Sequence, residues 1–296
     1  MGTDPWGFDE ERQDLARRLR RKRRGYALAQ TGVLVGFLAF LLAGESVGLR
    51  SWIATTRLPG WVSSSLFLLI LYTIGSVLGW PFAYLGGYRL ERAFGLSTQS
   101  RRSWALDLAK SFALGLGAVI IVGNVLVWLL QTIPGWWWFL AWLLGIAVTV
   151  ALGFLAPVLL APIFYRFKPL QDPALRSRFE SLASRAGVPV LGVFEMGASA
   201  KTRRSNAAVM GFGRTRRVVV TDTMLRTYTP EEIEAVLAHE LGHQRFRDPL
   251  TGVAVGALIS FLMWSIASLA YAATYPAFGL AGIGDVAGLP LLLLFT

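Results

Sequence analysis

Five stretches of this chain are long and apolar enough to cross a lipid bilayer, and they restrict its fold more than any other feature. They cover residues 26–43, 65–86, 112–130, 136–164 and 251–273. A helix needs about 20 apolar residues to span the hydrocarbon core, where all backbone polar groups must be satisfied internally. The chain is 54% hydrophobic and 16% charged, so the pattern predicts an α-helical multi-pass membrane protein. A last apolar run, 286–296, is too short to cross.

Basic residues mark one side of the membrane. Residues 17–24 are all arginine or lysine except Leu19, and they lie directly before the first apolar stretch. Two further basic segments, 89–110 and 165–249, fall on the same side if each stretch crosses once. Since positively charged loops stay in the cytoplasm, the N-terminus and the long polar segment of this cell-membrane protein are predicted to be cytoplasmic. Topology and anionic lipids then explain the net charge of +11, and no nucleic-acid partner is predicted.

Polarity divides the chain into four predicted parts. They are a basic N-terminal segment, a four-span membrane part, a polar domain and a C-terminal membrane part: residues 1–25, 26–164, 165–250 and 251–296. The polar domain opens with an amphipathic helix at 173–185, which Gly187 ends. Three strand-like runs follow, at 190–196, 207–210 and 217–221, and a second helix comes after them. This order predicts a small α+β insert in a helical membrane protein.

The chain has only two histidines, and both occur in the run His239-Glu240-Leu241-Gly242-His243. Four residues are just over one helical turn, so both imidazoles leave the same face of a helix and can bind one Zn²⁺. Glu240 lies beside them, where it can take a proton from a water that the metal activates. Two histidines that simply pack on a helix are the alternative, but this spacing is typical of zinc peptidases. The sequence predicts His239 and His243 as zinc ligands and Glu240 as the general base.

The flanking residues predict a helix around this motif. Thr229 and Glu232 have the spacing of a capping box, with Pro230 at the first helical position. Apolar residues recur at helical spacing and predict a buried side: Ile233, Val236, Leu237 and Leu241. The helix is predicted to run through 244–247 and to end before Pro249. The chain has no cysteine, so a thiolate nucleophile is excluded. A serine hydrolase is not predicted either, because it would need one of the two histidines of the zinc motif.

Further motifs cluster in and before the polar domain. Within it are Ser199-Ala200-Lys201-Thr202, Asn206-Ala207, Gly211-Phe212-Gly213, Arg216-Arg217-Val218-Val219-Val220, Asp222-Thr223, Glu231-Glu232-Ile233 and the segment 235–243. Before it are the segment 94–99, Trp104, Asp107, Lys110 and the segment 162–170. Together they resemble the CaaX prenyl protease (type I) family of integral-membrane zinc metallopeptidases. The resemblance covers roughly residues 60–270, and the zinc motif is its most specific part.

The resemblance implies a fold and an activity. It implies a zincin-like (gluzincin) α+β catalytic insert that binds Zn²⁺ and hydrolyses a peptide or protein substrate, prenylated in this family, beside the lipid bilayer. In the family an edge strand near the zinc helix aligns the substrate backbone, and Asn206 and Ala207 match that motif. Asn206 as a turn-forming residue at a strand start is the alternative. Lys201, Arg203 and Arg204 could meet a peptide carboxylate, although solvated surface charge is favoured.

One ligand is missing from this pattern, because a zinc peptidase site uses three protein ligands and a water. The resemblance implies a third ligand from a glutamate in an E-x-x-x-D setting, downstream of two further membrane helices. No glutamate follows Glu240 here, and the later carboxylates are Asp248 and Asp285. A helix continued past His243 would turn Asp248 away from the metal, and Asp285 is expected in a Gly-rich loop. The chain ends inside an apolar run, which predicts a C-terminally incomplete copy of a longer protease.

These features lead to one main hypothesis about function and to alternatives. The main hypothesis is a membrane-embedded zinc metalloendopeptidase, similar to the CaaX prenyl proteases, that cuts peptide bonds at the cytoplasmic face with Glu240 as general base. Quality control of membrane proteins is an alternative task for the same chemistry. A degenerate or truncated, non-catalytic membrane scaffold is the alternative that the missing third ligand favours. A transporter is disfavoured, since no inverted repeat or paired intramembrane charge is visible.

Overall fold

A computed structural model describes residues 9–211 and 213–296, without the side chains of Arg12 and Arg214. Residues 1–8 of the basic N-terminal segment, and Phe212 of the Gly211–Gly213 motif, lie outside the described residues. The chain forms two compact units. The membrane unit comprises the residues up to Gly95, Arg102–Trp142 and Phe261–Thr296, and the motif unit, named for its H-E-x-x-H run, comprises Leu96–Arg101 and Leu143–Ser260.

Helices make up most of the described chain. They are α1 (Glu10–Phe40), α2 (Ser46–Thr55), α3 (Gly60–Phe82), α4 (Leu90–Ala93), α5 (Arg101–Thr132), α6 (Trp137–Leu155), α7 (Ala161–Phe164), α8 (Pro173–Arg185), α9 (Asp222–Thr227), α10 (Pro230–Arg245), α11 (Asp248–Thr274) and α12 (Leu289–Phe295). The strands are β1 (Phe167–Pro169), β2 (Val193–Met196), β3 (Ala207–Met210) and β4 (Arg217–Thr221). Wide π turns at Leu41–Glu45, Ala83–Arg89 and Ala156–Leu160 interrupt three of the spans without ending them.

Within the described residues, five helical stretches are long and apolar enough to cross a membrane, and they confirm the five predicted spans. They are Gln13–Thr55, Gly60–Ala93, Arg101–Thr132, Trp137–Phe164 and Asp248–Phe278. Four of them are longer at one or both ends than the apolar stretch that predicted them, because the helices continue past the hydrocarbon core into polar residues. The fourth span, Trp137–Phe164, begins one residue later than predicted. In the most apolar 18 residues of each span, at most 17% of the residues are buried inside the protein. Exposed apolar side chains on all five spans, such as Leu28, Ile74, Ile121, Phe154 and Leu262, are what a lipid environment accommodates.

The membrane unit has a core of its own. Phe67 is fully buried there, and the Trp137 ring lies edge-on to those of Trp264 and Tyr271, with centroids 6.0 and 6.2 Å apart. Such edge-to-face pairs add to the stabilisation that burial gives. The same unit contains a cavity of about 980 Å³, lined mainly by apolar and aromatic side chains of α1, α3, α5 and α12.

The motif unit is built on a four-stranded sheet with the order β1-β2-β4-β3. β2 and β4 are parallel, and the two outer pairs are antiparallel. The predicted bounds of β3 and β4 are confirmed, whereas β2 begins at Val193 and not at residue 190, because Gly192 adopts a φ of +149° just before it. β1 was not predicted, since three residues that end in proline give no alternating pattern.

Two helices cover one face of this sheet. α8 has the predicted bounds, with Asp172 as N-cap and Gly187, at a φ of +70°, just after its end. Its Phe179 packs against Val218 and Val220 of β4 and against Ile233 and Leu237 of α10, and all five are at most 1% exposed. Each such side chain stabilises the fold by about 1.5–3 kcal/mol through burial. This core fixes α10 on the sheet.

Candidate active site

The helix that carries the two histidines, α10, begins at the predicted capping box. The Thr229 Oγ1 accepts the Glu232 N–H at 3.3 Å, and the Glu232 carboxylate accepts the Thr229 N–H at 2.8 Å. Ile233, Leu237 and Leu241 are each 1% exposed. The prediction that Val236 joins this buried side is wrong, since it is 37% exposed. The buried stripe repeats every four residues, and Val236 lies beside it.

The two histidine side chains converge. The Nε2 atoms of His239 and His243 are 3.2 Å apart, and both side chains are exposed on the face opposite the buried stripe. Two nitrogens that bind one tetrahedral zinc at 2.0–2.1 Å lie about 3.3 Å from each other. The separation of the two nitrogens is therefore compatible with one zinc ion, and it is also within the range of a hydrogen bond between the two rings. Glu240, between them in the chain, is half-buried.

Asp248 contacts the second histidine, contrary to the sequence-based expectation that it turns away. Its Oδ2 lies 2.7 Å from the His243 Nδ1. The expectation assumed a continued helix, but α10 ends at Arg245, and Arg247 adopts a φ of +60°. The hydrogen bond to Asp248 raises the pKa of His243, burial opposes this, and the charges of Asp248 and Glu240 add to the rise. An Asp-Pro pair after a helix is a turn signal that could have indicated this return.

No third ligand joins the two histidines in the part of the chain that the structure describes. Among the described residues no group of three His, Cys, Asp or Glu side chains is placed to hold a metal ion. Asp285 lies in a loop, as expected, but its carboxylate is 2% exposed and paired with Arg50. It also accepts the backbone N–H groups of Ala281 at 2.9 Å and Ala287 at 3.0 Å. Asp285 thus has a structural role in the membrane unit.

The strand β3 forms one edge of the sheet beside α10. Its pairing with β4 places Asn206 opposite Thr221, and the Thr221 N–H donates to the Asn206 carbonyl at 2.9 Å. Because hydrogen-bonded and non-hydrogen-bonded pairs alternate in an antiparallel ladder, the backbone groups of Ala207 and Val209 point away from β4. These groups face the open edge of the sheet, where a further strand can pair with them.

The predicted substrate residues differ in what they offer at this edge. The Asn206 backbone is occupied, since its N–H donates to the Thr221 Oγ1 at 2.9 Å, but its side chain is exposed. The Ala207 side chain is buried in the core, so only its backbone is presented. Val209 offers the same outward backbone groups and was missed, because the sequence does not fix the register of the strand.

The neighbouring cations have different surroundings. The Lys201 Nζ lies 4.8 Å from the Tyr165 ring centroid and 5.8 Å from that of Phe164, within the range of a cation–π contact. Arg203 and Arg204 have exposed side chains. The expectation of solvated surface charge therefore fits the two arginines better than it fits Lys201.

A buried carboxylate at the end of β4, Asp222, holds the segment that precedes β3. It accepts the N–H groups of Ala198 at 2.8 Å and Ser199 at 2.9 Å, and it also accepts the Ser199 hydroxyl. Burial alone would raise the pKa of Asp222, but the hydrogen bonds from Ser199 and Ala198 outweigh it and lower the pKa. The anchored segment pairs in turn with an upstream loop, through a bridge between Ser97 and Thr202. No local signal predicts these contacts, since they join residues far apart in the chain.

Two family models match nearly the whole chain. The family described as "CAAX prenyl protease N-terminal, five membrane helices" matches residues 8–166, and "Peptidase family M48" matches residues 169–295. The crystal structure of S. mikatae Ste24p aligns with a TM-score of 0.80 and 24% identity, over 97% of this chain and 72% of that one. These matches confirm the predicted fold class, an α-helical multi-pass membrane protein with a small α+β zincin-like insert.

Individual relatives match across much of the chain. The "Uncharacterized metalloprotease YhfN" of Bacillus subtilis is 31% identical over 262 residues, which are 87% of this chain and 61% of that protein. "CAAX prenyl protease 1" of Saccharomyces cerevisiae is 32% identical over 220 residues, 72% of this chain and 48% of that protein. A Homo sapiens homologue is 24% identical over 239 residues, 68% and 50% of the two chains. The chain thus spans less than two thirds of these relatives.

Proposed function

This chain belongs to the CAAX prenyl protease family, peptidase family M48, and on that premise we propose that it is a membrane-embedded zinc metalloendopeptidase. We assign the activity to residues 165–250, with His239 and His243 as metal ligands and Glu240 as general base. The positive-inside pattern of the loops supports a cytoplasmic N-terminus and cleavage at the cytoplasmic face.

One observation supports this proposal more strongly than any other observation does. The His239 and His243 Nε2 atoms lie 3.2 Å apart on an exposed face of α10, at the separation that one tetrahedral zinc requires. The same contact also permits a hydrogen bond between the two rings, so the proposal rests on the H-E-x-x-H spacing together with this distance. The buried core beneath α10 fixes the helix that carries both rings.

The chemistry divides between the metal and Glu240. A zinc ion held by the two imidazoles would act as a Lewis acid toward water and the substrate carbonyl. Glu240 accepts the proton of the attacking water and then delivers it to the nitrogen of the leaving amine. Its carboxylate lies close enough to His243 for its charge to raise the pKa of that imidazole, and its half-buried position shields it in part from bulk solvent.

The edge of β3 supplies a way to hold the substrate. An extended peptide that pairs with β3 would bond to the outward N–H and C=O groups of Ala207 and Val209. The exposed Asn206 side chain, at the start of the strand, can add a hydrogen bond to the same peptide. Such backbone pairing aligns a peptide without reading its sequence, so it suits both candidate substrate classes.

These classes are prenylated C-terminal peptides and unmodified segments of membrane proteins. The S. cerevisiae relative is named a CAAX prenyl protease, which supports the first class. The B. subtilis relative is named only a metalloprotease. Unmodified segments of membrane proteins, the substrates of quality control, are therefore the second class. Cleavage of one peptide, compared with and without a farnesyl group by the purified chain, separates the two. The non-catalytic scaffold is not favoured by these matches.

The test of the proposal is the Glu240→Gln variant, purified in detergent and supplied with zinc. Removing a general base lowers the rate by about 10²–10⁴-fold, whereas zinc content should stay unchanged because both histidines remain. Glu231→Gln makes the same change in the first turn of α10 and should leave cleavage intact. Full activity of Glu240→Gln would refute the assignment, and zinc binding without cleavage by the unaltered chain would favour the scaffold.

A further inference from the structure

The turn between α10 and α11 returns the chain to the histidines. The Phe246 N–H donates to the Gly242 carbonyl at 2.9 Å, and Arg247 then adopts its φ of +60°. The Arg247 carbonyl accepts the N–H of Leu250 at 2.9 Å, so α11 begins at once with Asp248 as its first residue. A continued helix would place Asp248 on another side of α10.

The contact that results is short and directional. The Asp248 Oδ2 lies 2.7 Å from the His243 Nδ1, with the side chains 54% and 47% exposed. Ion pairs with this exposure add little to stability, so fold stability alone does not account for the geometry. The contact uses the ring nitrogen that does not face His239, because the His243 Nε2 makes the 3.2 Å approach to the other imidazole.

The chemistry of the two groups sets the tautomer of the ring. An ionised carboxylate only accepts hydrogen bonds, so the His243 Nδ1 must carry the hydrogen. In a neutral imidazole the lone pair is then on Nε2, which is the nitrogen turned toward His239. Metal-binding histidines in proteins commonly donate their other N–H to a carboxylate, which fixes the ring and makes it a better ligand.

We propose that Asp248 is a positioning residue of the zinc site, which holds His243 as the Nδ1–H tautomer with its Nε2 lone pair directed at the metal. This inference rests on the proposed function. Asp248 is not itself a ligand, because its carboxylate lies on the opposite side of the ring from Nε2. His239 has no matching carboxylate partner among the residues that the structure describes, so the two ligands differ in how they are held.

The first experiment reads the tautomer directly and needs no metal. Because the chain has only two histidines, ¹⁵N-histidine labelling gives two imidazoles, and the His239→Gln variant assigns them. In metal-free protein, at a pH where the ring is neutral, His243 should be the Nδ1–H tautomer. In Asp248→Ala this preference should be lost, and Asp248→Asn should retain part of it through its carbonyl oxygen. An unchanged tautomer in Asp248→Ala would overturn the proposal.

The second experiment measures zinc affinity by competition with a chromophoric chelator. Asp248→Ala should weaken binding by about 10- to 100-fold, with Asp248→Asn in between. Asp172→Ala is the matched control, because Asp172 also begins a helix of this unit, where it accepts the Ala174 N–H at 2.9 Å. It should lower the unfolding temperature and leave zinc affinity unchanged.

The outcomes separate this inference from the function on which it rests. Equal zinc affinity of Asp248→Ala and the unaltered chain would overturn the positioning role and leave the protease assignment standing. Failure of the unaltered chain to bind zinc would overturn both.

Discussion

Asp222 shows at the scale of one residue how a buried charge can order a loop. The side chain is 8% exposed, and its oxygens are occupied by Ser199 and Ala198 and by Arg226 at 3.4 Å. Hydrogen bonds to a charged group contribute about 1.5–3 kcal/mol each. The loss of this carboxylate should therefore free the segment before β3 while the rest of the sheet remains intact.

The Asp222→Asn variant should be less stable than the unaltered protein at neutral pH, by about 2 kcal/mol. The pKa of Asp222 is lower in the folded protein than its ordinary value of 3.8, so its contribution is complete above that pH. It is lost as the pH falls through the folded pKa, because protonation then favours the unfolded chain. Thermal unfolding in detergent should show the gap between the two proteins narrowing only below pH 3.8.

The control is Asp172→Asn, which makes the same change at an exposed helix N-cap. Asparagine caps a helix about as well as aspartate, so this variant should unfold at nearly the unaltered temperature. A gap for Asp222→Asn that stays constant down to strongly acid pH would contradict an ionised carboxylate at this position.

Proline substitutions at Val209 and at Ala208 test which backbone N–H groups of β3 a substrate uses. Val209→Pro removes an N–H that faces the open edge of β3, so it should leave the sheet paired and weaken substrate alignment. The loss of one hydrogen bond is worth about 1 kcal/mol, or roughly fivefold in kcat/KM. Ala208→Pro removes an N–H that points to Val219 of β4, and it should instead lower the unfolding temperature.

Val209→Ala completes this comparison, because it keeps the N–H and trims the side chain. Its kcat/KM should stay near that of the unaltered protein. If Val209→Pro lowers the unfolding temperature as much as Ala208→Pro does, the deduced register of outward groups is incorrect.

At the scale of elements, the break between α10 and α11 depends on one residue in the left-handed region. Arg247 has a φ of +60°, which costs a residue with a side chain about 1–2 kcal/mol and glycine almost nothing. Arg247→Gly should therefore be more stable than Arg247→Ala by about 1 kcal/mol, although alanine is the better helix former. Chemical unfolding of both variants measures the difference.

The reverse order is expected at Arg185, the last residue of α8. There the backbone is helical, so Arg185→Gly should be less stable than Arg185→Ala by about 1 kcal/mol, and both lose the same ion pair with Glu234. A preference for alanine at both positions would mean that α10 and α11 join without a left-handed residue in solution.

At the scale of the whole molecule, charge asymmetry predicts the orientation in the membrane. The chain has no cysteine, so single introduced cysteines report sidedness without background. Gly135→Cys, in the uncharged loop between α5 and α6, should react with a membrane-impermeant maleimide added to intact cells. Leu191→Cys lies in the polar segment, where Leu191 is 65% exposed, and it should react only after permeabilisation. The opposite labelling pattern would reverse the predicted topology.

The sequence alone determined the features that depend on neighbouring residues. The five spans, the capping box of α10 and the bounds of α8, β3 and β4 follow from hydropathy, helical spacing and helix-end signals, and the structure has them. The face shared by His239 and His243 also follows from helical geometry, since a spacing of four residues fixes it. These features need no knowledge of what packs against them.

The tertiary structure decided everything that depends on where the chain turns and what it meets. The left-handed turn at Arg247 sends Asp248 to His243, the pairing with β4 selects the outward groups of β3, and a distant arginine, Arg50, engages Asp285. An Asp-Pro pair indicates that a turn occurs but not its direction. Periodicity finds strands but not their register, because the free energy that fixes both comes from contacts between segments remote in the sequence.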